Sequence, residues 1–402
     1  MNRELEIELM QRVFKHVENR SCDMAEGTHK VAVDAYTCEQ RFAQEKQAIF
    51  RQFPLVVGFS SELKNVGDFI THDLTDVPMI VSRGKNGGLS AFINACRHRG
   101  ARLTDKKSGN TKRTFVCPFH AWGFSCSDGK LKGVPRSNGF PDIDKAEYGL
   151  ARLPVAERYG LVFVVPSVPE DGNFDLDIDN YLGHLHQDLD GLGFTNHVKY
   201  KSKLLPRKLN WKQHMDVNGE TYHFRELHGD TAGEVYLKDV SVMDYARPHS
   251  RFVAPQTSIL KMIDQAVEQW SLHGHSGILY TIFPNTLYFT STGFAHVLSI
   301  YPQDVDNAVF QSAMLVPDEP ETEQNKQFWD LHYDNYWQTM IQDIEIAESM
   351  QSTMRSGAQK EIIFGRFEYI SAEFEKAVQA AIDGDFSMHD VINASKGRST
   401  DE

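Results

Sequence analysis

The sequence has no long apolar run, no excess of basic residues and few cysteines, and each shortage argues against a class of protein. No stretch of about 18 consecutive apolar residues occurs, so we expect no membrane span and a cytoplasmic protein. Lys and Arg total 42 against 55 Asp and Glu, which gives a net charge of −13 in 402 residues and argues against nucleic acids and anionic membranes as partners. Five cysteines are too few, and odd in number, for a disulfide scaffold.

The sequence also has no fingerprint for binding a dinucleotide. The glycine-rich stretch 84–88 lies between two apolar runs and reads as a hairpin turn, because no helix follows it. The chain itself is therefore not expected to bind a dinucleotide.

The pattern of apolar residues divides the chain into three parts. Residues 1–50 look helical, residues 51–168 contain short strands and tight turns, and residues 169–402 mix helices with antiparallel strands. The predicted fold class is α+β, with an all-β domain before a domain of antiparallel strands and helices. We expect the first 50 residues to pack on the C-terminal domain.

Two short segments of the predicted β domain each contain one cysteine and one histidine. The segments are Cys96-Arg97-His98-Arg99-Gly100 and Cys117-Pro118-Phe119-His120-Ala121-Trp122. Each spacing is expected only about 0.2 times by chance in this composition. Two thiolates and two imidazoles suit tetrahedral zinc or a [2Fe-2S] cluster. The mixture of both ligand types in each segment favours the cluster, because each loop can then reach both irons.

A second set of candidate ligands lies in the C-terminal part. His223 and His228 are five residues apart, and a regular helix would point them about 140° apart, so they could share a metal only at a helix end or a π-bulge. Taken alone, this pattern would more often be two ordinary histidines.

These segments resemble the Rieske-type non-haem iron oxygenases, in the terminal oxygenase family that includes the ring-hydroxylating dioxygenase α-subunits. The resemblance begins near Tyr36 and extends to the C-terminal helices, through Asn210-Trp211-Lys212, Glu220-Thr221-Tyr222-His223 and Phe364-Gly365-Arg366-Phe367-Glu368. It implies a Rieske domain over residues 51–168 and a catalytic domain with a helix-grip, START-like sheet over residues 169–402.

The resemblance also implies roles for the candidate ligands. Cys96 and Cys117 match the residues that hold one iron of a Rieske [2Fe-2S] cluster. His98 and His120 match the residues whose imidazoles hold the other iron. His223, His228 and Asp343 match the facial triad that binds mononuclear Fe(II) in the family. Asp343 lies on a predicted late helix with Glu345 and Glu348 as rivals, and the family position favours Asp343. Cys126 matches no ligand position, and we expect a core thiol.

Glu220 departs from the family pattern, in which Asp is usual three residues before the first iron-binding histidine. The implied role is to couple the iron site to the Rieske histidine of a neighbouring subunit in a homotrimer. Some relatives that act on quaternary ammonium or N-methyl compounds also use Glu there. Asp216, Tyr222 and the inward side of strands 278–301 are the predicted substrate contacts. The strand aromatics are expected to be mainly packing residues: Tyr280, Phe283, Tyr288 and Phe289.

The implied function is that of the terminal oxygenase of a multicomponent system. It would use O2 and electrons from NAD(P)H, passed through a reductase with or without a ferredoxin, to hydroxylate a small organic substrate. An aromatic substrate is favoured, as in aromatic hydrocarbon catabolism. The alternatives are a monooxygenase or N-demethylase of quaternary ammonium or N-methyl compounds, and a non-catalytic electron-transfer or ligand-binding Rieske protein. Mono- versus dioxygenation and the presence of a β subunit stay open.

Overall fold

The computed structural model describes residues 1–291 and 293–398. The chain divides into two compact units, one over Phe50–Ile178 and the other over Met1–Ile49 together with Asp179–Glu402. None of the helices formed by the described residues combines the length and apolarity that crossing a bilayer requires. The predicted domain 51–168 starts one residue later and ends ten residues earlier than this unit, and its bounds stay a prediction.

The N-terminal segment is not helical throughout. Helix α1 (Arg3–Asn19) begins where the Asn2 side chain accepts a hydrogen bond from the Leu5 N–H. A strand then follows, where the sequence pattern predicted helix, and this part of the prediction is wrong. The elements are β1 (His29–Ala32), α2 (Asp34–Thr37) and α3 (Glu39–Glu45). Strand β1 was missed because its residues are only half-buried and the pairing that stabilises it comes from β20, the distant strand Glu361–Phe364.

The unit over Phe50–Ile178 is all-β, as predicted. Its strands form three antiparallel sheets, with the orders β10-β5-β4-β3-β6, β11-β12-β2 and β7-β8-β9. The strands are β2 (Leu55–Phe59), β3 (Asp68–His72), β4 (Met79–Arg83), β5 (Leu89–Ile93), β6 (Ser108–Asn110), β7 (Thr114–Val116), β8 (Gly123–Ser125), β9 (Leu131–Gly133), β10 (Arg152–Leu153), β11 (Val155–Arg158) and β12 (Leu161–Val164). The glycine-rich stretch is the turn of the β4–β5 hairpin, which pairs Met79 with Ile93.

The other unit is built on one antiparallel sheet of seven strands in the order β13-β19-β18-β17-β16-β15-β14. These strands are β13 (Val198–Arg207), β14 (Val242–Ala246), β15 (His249–Pro255), β16 (Ser276–Ile282), β17 (Thr286–Thr290), β18 (Ala295–Pro302) and β19 (Ala308–Val316). The described helices of this part are α4 (Ile178–Leu182), α5 (Leu185–Gly191), α6 (Trp211–Val217), α7 (Phe224–Leu227), α8 (Glu323–Met354), α9 (Tyr369–Asp383) and α10 (Met388–Arg398). The predicted α+β class is confirmed.

Three helices of this unit position the candidate iron site. Helix α8 begins at a Thr322 side chain that accepts the Asn325 N–H, and it buries residues at helical spacing, among them Asp343, Ile344 and Ala347. Helix α6 packs on both α8 and α9. The chain then leaves α6 for the short helix α7, which brings His223 and His228 close to the middle of α8.

Candidate metal centres and active site

Two loops of the β unit carry the predicted cluster ligands. Cys96 and Cys117 are buried, with 4% and 2% of their surface exposed, whereas His98 is half-buried and His120 is exposed. The two imidazole rings lie close together, with centroids 4.7 Å apart. The loops therefore place the thiols inward and the imidazoles toward solvent.

The two loops each contain a backbone turn of the same kind. The Cys96 carbonyl accepts the Gly100 N–H, and the Cys117 carbonyl accepts the Ala121 N–H, both at 2.9 Å. The residues that close the two turns have positive φ values, +79° at Gly100 and +56° at Ala121. The side chain of His98 is held by stacking on the buried Trp122 ring, 4.8 Å away and nearly parallel. Nothing in the spacing of His98 and Trp122 indicated this stacking.

The chemistry of this donor set fits a [2Fe-2S] cluster. Burial raises the pKa of the Cys96 thiol, and the backbone N–H groups of His98 and Arg99 act in the opposite direction. Such N–H groups stabilise a thiolate and tune the potential of a cluster that it binds. The two thiols and the two imidazoles would hold the two irons, as the sequence analysis expects, although zinc would accept the same four donors.

The second donor set comes together in the other unit. One donor atom each from His223, His228 and Asp343 lies within 4.8 Å of the others. The Asp343 Oδ1 is 3.0 Å from the His228 Nε2 and 3.5 Å from the His223 Nε2. This buried oxygen makes no hydrogen bond of good geometry to any described residue. Two imidazoles that face one buried carboxylate oxygen are a donor set that suits Fe(II).

The ends of helix α7 explain how histidines five residues apart can face one point. His223 is the residue before the helix and His228 is the residue after it, so neither is held in the helix body. The geometric condition derived from the sequence, a helix end, is therefore met. The rivals of Asp343 point elsewhere: Glu345 is exposed, and Glu348 accepts the Lys208 N–H at 2.9 Å.

The Nδ1 atom, which is the outer ring nitrogen of each histidine, has its own hydrogen-bond acceptor. The His223 Nδ1 contacts the Glu220 carboxylate, which also accepts the backbone N–H of His223 at 3.1 Å. The His228 Nδ1 lies 2.8 Å from the Gln342 Oε1, and Thr231 donates to the same oxygen. These contacts fix Nδ1 as the protonated nitrogen and leave Nε2 free to bind a metal. Gln342 was missed by the sequence analysis, because nothing in its spacing distinguishes it from other residues of α8.

A third histidine lies behind the site. His214 of α6 is fully buried, and neither of its ring nitrogens has a hydrogen-bond partner among the described residues. Burial lowers the pKa of His214 to about 4, although the nearby Asp343 acts in the opposite direction. The ring is therefore neutral near pH 7 and adds no positive charge beside the two candidate ligands.

A cavity of about 570 Å³ opens beside the His223, His228 and Asp343 donors. Two of the predicted substrate contacts do not line it. Asp216 is turned into the protein, where it accepts a 2.7 Å hydrogen bond from the Tyr36 hydroxyl. Tyr222 is 64% exposed and packs beside Phe367. The reason is local: α6 carries Asp216 on its buried side, and the loop before α7 turns Tyr222 outward.

The predicted strands contribute only part of the cavity wall. Leu279, Leu287 and Phe289 line it. Tyr280 and Tyr288 are absent from the lining; they are fully buried and pack with ring centroids 6.4 Å apart. The remaining walls come from the α7 region, from β15 and from α8, none of which was predicted from the sequence to line the pocket.

Comparison with known proteins identifies both units. Residues 53–152 match the model of the Rieske [2Fe-2S] domain, and residues 191–384 match that of the ring hydroxylating alpha subunit catalytic domain. The chain therefore combines the two domains of an oxygenase α subunit. It belongs to the Rieske-type non-haem iron oxygenase family, as the resemblance in its sequence indicated.

Individual relatives cover different shares of the chain. The anthranilate 1,2-dioxygenase large subunit of Acinetobacter baylyi is 40% identical over 140 residues, which are 35% of this chain and 29% of that subunit. The carnitine monooxygenase oxygenase subunit of Acinetobacter baumannii is 26% identical over 80% of this chain and 84% of its own length. A crystal structure of a quaternary ammonium Rieske monooxygenase with L-carnitine has the same fold, with a TM-score of 0.74 at 23% identity over 89% of this chain and 96% of that one.

Proposed function

We propose that this chain is the terminal oxygenase of a Rieske non-haem iron system that oxygenates a small organic substrate with O2. The observation that carries the proposal is the presence of two complementary donor sets in one chain, the Cys/His loops and the His223, His228 and Asp343 group. When bound, a [2Fe-2S] cluster would store single electrons and Fe(II) would activate O2. Electrons would come from NAD(P)H through a reductase, with or without a ferredoxin.

The side chains around the candidate iron site support this proposal by what they hold in place. Glu220 and Gln342 accept from the outer nitrogens of the two histidines and so orient both rings toward Asp343. The cavity beside these donors is large enough for a small organic molecule. The chain therefore offers a metal-binding face with room for a substrate next to it.

The finer features are part of the same proposal. We propose a Rieske domain over residues 51–168 and a catalytic domain over residues 169–402, in a cytoplasmic homotrimer. Glu220 is proposed to couple the two centres of neighbouring subunits, because a carboxylate can accept N–H groups from two imidazoles at once. Its contact with His223 already supplies one of these two hydrogen bonds. Asp216, in contrast, is proposed as a positioning residue for Tyr36.

Oxygen uptake with purified components tests the proposal. The iron- and sulfide-reconstituted protein, a generic reductase and NADH should consume O2 with a panel of aromatic acids and N-methyl compounds. Uptake that depends on both substrate and reductase is expected. No uptake with any compound, although both metal centres are loaded, would favour a non-catalytic electron-transfer or ligand-binding protein.

Oxidation of a quaternary ammonium or N-methyl compound is the second candidate. Two observations favour it: Glu220 stands where Asp is usual, and the relative aligned over 84% of its length is a carnitine monooxygenase subunit. Labelled O2 distinguishes the two candidates. Two labelled oxygens in one product identify an aromatic dioxygenase, whereas one labelled oxygen with release of an aldehyde identifies an N-demethylase.

A further inference from the structure

The cavity beside the candidate iron site has carboxylates in its walls but no strongly basic side chain. Among the described residues that line it, none is Lys or Arg, whereas Asp230 is acidic and the carboxylates of Glu220 and Asp343 belong to the candidate iron site. Apart from the two candidate ligands, the lining has one imidazole, that of His332, whose pKa is lowered by burial. A substrate carboxylate would therefore find no Lys or Arg side chain to pair with among the described residues of these walls.

Aromatic rings form much of the remaining wall. Phe224 and Tyr236 have ring centroids 5.6 Å apart, and Phe289 and Tyr336 have centroids 6.0 Å apart. The two pairs meet over Gly277, where an added Cβ would lie 2.8 Å from atoms of both Tyr236 and Phe289. The absence of a side chain at Gly277 therefore lets the rings join into one aromatic surface.

The nearby basic residues are paired away from the cavity. Arg251 of β15 binds Asp188 and Asp244, whereas its neighbours Phe252 and Ala254 line the cavity from the opposite face of the strand. Lys203 of β13 lies over the Trp337 ring, 3.4 Å from its centroid, and is not part of the lining. Neither residue is available to neutralise an acid in the cavity.

We propose, on the basis of the proposed function, that the substrate is a small organic cation without an acid group. An ammonium nitrogen can face aromatic rings and nearby carboxylates favourably. A carboxylate in the same place would lie against aromatic rings with no basic side chain to pair with, and burying an unpaired charge is unfavourable. This class does not include anthranilate or carnitine, because both compounds contain a carboxylate. Two of the relatives are named after these compounds.

Matched compounds test this inference without turnover. Calorimetric titration of the iron-reconstituted protein, kept free of O2, would compare choline with glycine betaine, and phenyltrimethylammonium with its 4-carboxylate. We expect each acid-free cation to bind about tenfold more tightly or better. Equal or tighter binding of the acids, or no binding by either cation, would overturn the inference. The titration measures binding without O2, so its result does not depend on whether the protein can turn the compound over. A protein without oxygenase activity would therefore count against the proposed function and not against this inference.

A neutral isostere separates the cation from a neutral substrate. We expect 3,3-dimethyl-1-butanol, which has the shape of choline without its charge, to bind more weakly than choline. Equal binding by the neutral alcohol would overturn the preference for a cation.

Single substitutions in the wall provide a second test. Asp230→Asn should weaken choline binding several-fold, whereas Asp334→Asn, which removes the same charge from an exposed α8 residue outside the lining, should not. Asn335→Lys should raise the affinity for glycine betaine, and Gln324→Lys, elsewhere on α8, should not. An unchanged affinity in both lining variants would contradict the inference.

Discussion

The two donor sets of this protein are built in opposite ways. The cluster loops use two equivalent turns in an all-β unit, and their imidazoles face solvent or lie near the surface. The His223, His228 and Asp343 group joins a short helix to the middle of a long one, with His228 and Asp343 only 1% and 3% exposed. An outward imidazole edge suits the exchange of electrons with another protein, whereas a buried group beside a cavity suits chemistry on a substrate.

The difference also determines what supports each set. In the cluster loops, most support comes from the backbone, through the turns at Gly100 and Ala121 and the N–H groups aimed at Cys96, and the Trp122 ring adds its stacking on His98. In the iron site, it comes from side chains, namely Glu220 and Gln342. Substitutions in one donor set should therefore leave the other set intact.

Asp343→Ala is expected to have the largest effect on turnover. It removes the only carboxylate of the described donor group, so activity should fall more than about 100-fold, beyond the loss typical of residues that only orient a ligand. The visible spectrum of the cluster should stay the same. Glu345→Ala, an exposed residue two positions along α8, is the matched control, and an equal loss in both variants would contradict the assignment.

Cys117→Ser should remove the cluster and leave the other site able to bind Fe(II). The visible spectrum and the reduced paramagnetic signal should both disappear, because serine is a poor ligand for iron–sulfur clusters. Cys126→Ala is the control, since Cys126 is a buried core residue. Its spectrum should be unchanged, and loss of colour from Cys126→Ala alone would show that the cluster ligands are misassigned.

Gln342→Ala should have an intermediate effect. It removes the acceptor for the His228 Nδ1, so the affinity for Fe(II) should fall about 10- to 100-fold. Gln342→Glu keeps an acceptor at this position and should restore most of the affinity. Metal titration followed by tryptophan fluorescence or calorimetry measures both, and an equal loss in the two variants would show a purely structural role.

Substitutions at the two turn positions should have the smallest effects, and they should change the free energy of unfolding in opposite directions. Gly100→Ala should lower the free energy of unfolding by about 1 kcal/mol, because alanine is strained at positive φ although no atom lies near its Cβ. Ala121→Gly should be neutral or raise it by up to about 1 kcal/mol, because relief of strain is partly offset by unfolded-state entropy. Chemical denaturation of the holoprotein measures both changes, and equal signs would contradict the equivalence of the turns.

A region could be predicted from the sequence when the residues that form it lie close together along the chain. The Cys/His loops are short segments, so the spacing of Cys96, His98, Cys117 and His120 was enough to group them. His223 and Asp343 lie 120 positions apart, and only resemblance to a family joined them. Gln342 and His214 were missed because their roles arise from helix packing, and Asp216 was misplaced because helix rotation decides which side chains reach the cavity. Strand β1 was missed because its partner strand is distant in sequence.

The metal content of the purified holoprotein decides whether the chain binds two separate iron centres. Two separate iron centres predict about three irons and two acid-labile sulfides per chain, with a Rieske-type paramagnetic signal on reduction. In Asp343→Ala, one iron should be lost while both sulfides and the signal remain. Zinc in place of iron and sulfide, or an Asp343→Ala protein that loses sulfide together with iron, would contradict the account.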